Sequence, residues 1–226
     1  MRATSATATT FCVCLCGPVL GAVNDNPVIS TTTTPQIVLP SDGDEYSSLV
    51  ARAAAEDRTL DFHALRLAWL KSNAHKAINV NETELESDLF DAARSGDDGR
   101  VRDAAVKVLS ADYINMFAHA VLRQACTKLH DDGCAEQHHF VEFGLLTSIT
   151  TSGDGKTCKT GWEVVAVREE YFIVHMLGST PADQALINGA DGACDLLNTT
   201  GPDGKPQAYY FRIDAVLQDE MGMLKH

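Results

Sequence analysis

Between His138 and Tyr171 the chain reads HHFVEFGLLTSITTSGDGKTCKTGWEVVAVREEY, and within that stretch its hydrophobic period changes. Before Gly153 apolar residues recur at helical spacing; after it they recur closer to every second position. A chain patterned this way cannot fold as one uniform array. The pattern predicts an α+β fold: an antiparallel, helical-repeat-like half over residues 41–150, packed on a small, mostly antiparallel sheet with one short helix over residues 151–226. A site shared by the two halves is expected near this junction.

The helical half divides at its own punctuation. Ser41 is placed to cap a first helix carrying Tyr46, Leu49, Val50 and Ala53, and Asp61 precedes a second with Phe62, Leu65 and Trp69 on one face. A third helix, Thr83 to Arg94, is broken by Ser95 to Gly99 (SGDDG). Two clear stripes follow, Val101 to Leu109 and Ile114 to Leu129, then a turn at Asp131-Asp132-Gly133 and a helix from Cys134 to Ile149. Short helices on short loops resemble a tetratricopeptide array. Arg123 stands where such a repeat has Gly, and Glu142 where it has Ala, so the likeness is one of packing. In the second half, Trp162 to Arg168, Cys194 to Asn198 and Tyr209 to Ile213 are expected strands. Glu169 to Leu177 is a short helix ended by Gly178.

Charge and leader bound the setting. The 226 residues include 18 Lys and Arg against 31 Asp and Glu, a net −13 that repels phosphate backbones and anionic lipid and argues against nucleic-acid partners. Residues 1–22 fit a signal peptide, with Arg2, an apolar run from Phe11 to Leu20 and small Gly21-Ala22; the alternative is a disordered Ser/Thr/Ala-rich leader. Residues 23–40 are a proline-punctuated flexible linker, and no membrane span is expected in the mature chain. This predicts an exported protein, periplasmic or extracellular. Cys126, Cys134, Cys158 and Cys194 then remain, and pairing as Cys126–Cys134 and Cys158–Cys194 is favoured over four free thiols.

Three groups of residues bear on chemistry. Gly153 to Thr157 (GDGKT) lacks the first glycine of a phosphate loop and lies in helix-to-strand order, so it is expected to be a turn in which Asp154 bonds backbone N–H groups. His119 facing His139, with Glu142 three residues on, makes a seam for a metal ion or acid–base chemistry, or else a buried hydrogen bond that fixes helix packing. Arg66, Asp154, Lys156, Glu169 and Glu170 make a polar set near the junction that suits a small anion or a peptide terminus, or else is surface charge. Neither G-x-S-x-G nor H-E-x-x-H occurs, and Ser148 and Ser152 have no evident activating base.

Several of these residues also carry a likeness. Asp61-Phe62 with Leu65-Arg66, Asp112 to Asn115 with His119, His139, Gly144-Leu145, Ser148-Ile149, Ser152 to Lys156, Glu169 to Tyr171 and Leu177-Gly178 form a pattern. It spans roughly residues 59 to 215 and resembles an exported bacterial family, domain-of-unknown-function family four-nine-one-nine. The resemblance implies tetratricopeptide-like helices with a small β-rich tail and an exported location; it implies no reaction. The expected function is therefore a non-catalytic binding or assembly module of the cell envelope, its partner another envelope protein or a peptide, with no cofactor. The competing class is a small metal-dependent or acid–base hydrolase using His119, His139 and Glu142.

Overall fold

The structure is a computed structural model that describes residues 35–78, 82–189 and 192–223. The expected signal segment, and the linker as far as residue 34, lie outside the described residues. Seven helices come first: α1 Glu45–Ala54, α2 Phe62–Lys71, α3 Asn73–Ile78, α4 Glu82–Ser95, α5 Asp98–Ala111, α6 Met116–Lys128 and α7 Asp132–Thr150. Then follow β1 Trp162–Glu163, α8 Val167–Met176, β2 Thr180–Gly189, β3 Gly192–Thr200, β4 Pro206–Arg212 and α9 Asp214–Met223. The sheet runs β1-β4-β3-β2, with β1 parallel to β4 and the other pairs antiparallel. The fold is α+β, as the change of period predicts.

Short polar side chains start the helices. Asp44, Asp61, Asp97, Asn115 and Asp131 each accept a hydrogen bond from a backbone N–H in the first turn that follows, satisfying donors the helix cannot. Asp44, not Ser41, caps α1: its Oδ1 takes both the N–H and the hydroxyl of Ser47, at 2.7 and 2.6 Å.

One apolar core joins the helices to the sheet. Val50, Leu65, Trp69, Ile114, Val141 and Leu145 from the helices meet Val174 of α8, Leu197 of β3 and Phe211 of β4. Helices α2 and α7 pack tightly at Gly144, where a Cβ would stand 2.2 Å from the Phe62 ring. A second cluster, with Leu89, Leu109 and Leu122, holds α4, α5 and α6 together.

The segment expected as a strand to Arg168 stops being one after Glu163. Two side chains take its backbone. Arg66, 0% exposed, donates from Nη2 to Glu163 O at 2.7 Å, and Glu169 Oε2 accepts from Val165 N at 2.8 Å. These two residues also bind each other, Arg66 Nε to Oε1 at 2.9 Å and Nη2 to Oε2 at 2.7 Å. The pair turns the chain out of the sheet and into α8.

Three elements carry weak sequence signals: α3, β2 and α9. Strand β2 (TPADQALING) is exposed along nearly its whole length, contains Pro181, and shifts register against β3 between Pro181 and Asp183. It is an edge strand with little apolar alternation to announce it.

Arg66→Ala leaves Glu169 buried and unpaired and is expected to cost about 3–5 kcal/mol in urea unfolding. The double replacement Arg66→Met with Glu169→Leu should recover only part of this, because Glu163 O and Val165 N also lose their partners.

Candidate functional site

The histidine seam differs from its expected form. His138, not His139, faces His119, with the two Nδ1 atoms 2.9 Å apart. The reason is the phase of α7. His138, Val141, Glu142, Leu145 and Ile149 form its buried stripe, and one residue further turns the side chain by about 100°, so His139 is exposed beside Phe143. His119 Nε2 lies 2.8 Å from Tyr113 O and must donate to it. In a neutral ring Nδ1 is then the acceptor, and His138 Nδ1 donates to it. Burial, reinforced by His138, lowers His119 to about 3, and burial lowers His138 to about 4. Glu142 is taken by Arg123, Nε to Oε2 at 2.7 Å. Arg123 and Glu142, the two departures from the repeat pattern, thus answer one another across α6 and α7. His119, His139 and Glu142 therefore do not converge: His119 meets His138, His139 is exposed, and Glu142 pairs with Arg123.

The cysteines pair as Cys126–Cys134 and Cys158–Cys194. The first closes the corner between α6 and α7, and the second ties the glycine loop to β3. Among the described residues, the one cluster with metal-ligand spacing is Cys126, Asp131 and Cys134, whose thiols are spent in a disulfide.

The junction set is dispersed. Arg66 and Glu169 form the buried pair described above. Asp154 and Lys156 sit in the expected turn: Gly155 has φ of 67°, and Asp154 Oδ1 accepts from Lys156 N at 3.0 Å and from the Thr160 hydroxyl at 2.6 Å. These bonds hold Asp154 below the usual carboxylate range. No small-anion site brings all five residues together.

A different site is larger. Helices α2, α3, α4, α6, α8 and α9 enclose a cleft of about 860 Å³. Its walls include Trp69, Leu89, Phe90, Met116, Phe117 and Phe172. Phe90 and Phe117 stack with centroids 4.7 Å apart, and Phe90 and Tyr171 are exposed at 46% and 41%. Arg168 lies over the Trp69 ring at 4.6 Å and is held by Asp112 at 2.6 Å. The Trp69 indole N–H is buried and has no hydrogen-bond partner among the described residues. Aromatic and aliphatic walls with polar side chains such as His75, Glu86 and Asp219 among them are what a small-molecule or side-chain pocket requires. Sequence periodicity missed this site because its wall residues are also core residues. The usable signal was Phe90 and Tyr171, large aromatics on otherwise polar helix faces.

Glu170 is the buried group whose ionisation is most disturbed. Burial, then Asp195, then Glu169 push its carboxyl up to about 9. Gln184 Nε2 donates to Asp195 Oδ2 at 2.9 Å and to Glu170 Oε2 at 3.3 Å, bridging α8, β2 and β3. The folded state therefore holds a proton that the unfolded chain releases near 4.5. Its contribution to stability is full below that value and declines as pH rises towards 9. The buried histidines act with opposite slope, favouring the folded state less as pH falls below 6.5. Comparing wild type with Glu170→Gln isolates the first effect. The variant's urea midpoint should match wild type near pH 4 and exceed it increasingly towards pH 9.

Comparison with known proteins agrees with the residue pattern. The family model described as Domain of unknown function (DUF4919) matches residues 42–222, from just before α1 into α9. No curated protein and no solved structure matches the chain. The match covers all seven leading helices, the sheet and the cleft, and the chain belongs to the DUF4919 family.

Proposed function

We propose that this protein is an exported, non-catalytic binding module of the cell envelope, and that the cleft beneath Phe90 and Tyr171 receives an apolar segment of a peptide or of another envelope protein. The observation that carries the reading is the cleft itself, a volume of about 860 Å³ lined by Phe90, Phe117, Tyr171 and Phe172, with Phe90 and Tyr171 left in solvent. The aromatic walls would supply affinity by burial.

One feature supports export. Both disulfides belong to an oxidising compartment. No helix among the described residues is long and apolar enough to cross a membrane. The hydrolase alternative has less support. His119 and His138 are kept neutral by burial and spend their facing nitrogens on each other, and Glu142 is held by Arg123.

Apolar peptides carrying Leu, Phe or Met should quench or shift Trp fluorescence saturably and raise the melting temperature. Phe90→Asp, at a half-exposed position, should weaken that binding at least tenfold while leaving the unliganded melting temperature nearly unchanged. Binding that ignores Phe90→Asp, or no binding across the peptide set, would refute the cleft as the site. Full-length protein found in the cytosolic fraction of its producing cell would refute export.

A further inference from the structure

A second cleft, of about 640 Å³, opens on another part of the molecule, where the N-terminal turn of α2 and the C-terminal half of α7 meet β1 and the end of β4. Its polar centre is a row of three side chains drawn from three elements. His63 Nε2 lies 2.7 Å from Glu163 Oε1, and Arg212 Nη2 lies 3.4 Å from Glu163 Oε2. Arg212 is fixed from behind by Gly161 O at 2.9 Å and Ser152 O at 3.1 Å. The row is therefore rigid, yet its hydrogen-bonding capacity is not exhausted. Arg212 Nη1 makes no hydrogen bond among the described residues, and each carboxylate oxygen of Glu163 can accept again.

Beside the row stands an aromatic wall. Phe62 and Phe140 pack edge to face at 5.5 Å, and Phe143 leaves 60% of its surface in solvent. Gly144 makes this arrangement possible, since any side chain there would strike the Phe62 ring.

Three features of the cleft decide what it suits. The first is charge. Arg58, Arg212 and His63 face Asp61 and Glu163, so the lining is close to neutral in a chain of net −13. Neither a phosphate nor a cation is selected. The second is the mixture of fixed donors and acceptors, which suits groups that both give and take a hydrogen bond, as hydroxyls do. The third is Phe143, an exposed aromatic side chain in the same lining, which suits a ligand with an apolar C–H face. Nucleophilic chemistry has no foothold. The Ser148 and Ser152 hydroxyls donate to Leu145 O and Ile149 O, at 2.7 and 2.6 Å, within their own helix turn.

We infer that this cleft binds a neutral oligosaccharide, its hydroxyls on His63, Glu163 and Arg212 and one sugar face on Phe143. The site is separate from the apolar cleft and stands whether or not that cleft binds a peptide.

The test is calorimetric titration of the oxidised full-length protein with neutral glucose and N-acetylglucosamine pentamers, and with a sulfated pentasaccharide as the anionic comparison. Expected is saturable binding of a neutral pentamer that changes little between 50 and 500 mM salt, over which the Debye length shrinks about threefold. Phe143→Ala should weaken it about tenfold without moving the melting temperature, and His63→Ala should weaken it as well. Phe90→Asp should leave it unchanged, which separates this site from the apolar cleft. The inference is overturned if no neutral pentamer binds, if binding survives both Phe143→Ala and His63→Ala, or if the sulfated sugar alone binds and is lost on adding salt or on Arg58→Ala.

Discussion

The fold turns on the ion pair between Arg66 and Glu169. It is bidentate, buried at both ends, and the charges are not simply neutralised: each side chain also takes a backbone group of the segment that links β1 to α8. Without it the segment Trp162 to Arg168 has the composition to continue as a strand. With it, the helical half dictates where the sheet ends. A buried pair of this kind is weak evidence for stability in itself, but here it fixes one chain path among two that the local sequence would accept.

This explains what could be read from the sequence and what could not. The stripes at Val101 to Leu109 and Ile114 to Leu129 are long and strongly periodic, and they became α5 and α6. Strands β3 and β4 were visible in Leu196-Leu197 and Tyr209 to Phe211. The site residues were harder, because a one-residue error in helical phase exchanges inside for outside. His138 and His139 are adjacent, both are histidine, and only the burial of Val141, Leu145 and Ile149 tells which faces His119. Arg66 and Glu169 were singled out for the right element types but the wrong role. Nothing local says that residues 103 positions apart will desolvate one another.

Most of the charged groups inside the protein are committed to each other: Arg66 to Glu169, Arg123 to Glu142, Arg168 to Asp112. Each joins two separate elements. The polar chemistry of these three pairs is spent on assembly. The excess of acid is carried mainly on exposed faces, where solvent screens it. The Glu170–Asp195 contact is the exception, two acids together in the interior, tolerable because one of them stays protonated.

Strand β2 forms the outer margin of the sheet, and such a margin is an open row of amides that invites a neighbouring molecule to add itself. Here that row is interrupted: Pro181 supplies no amide hydrogen, and the slip in register before Asp183 bends what would otherwise be a straight ribbon. A foreign strand laid along its first residues would lose alignment there, whereas Asp183 to Gly189 keeps an unbroken register with β3. Protection against such zipping is thus concentrated at one end of the ribbon, beside Pro181.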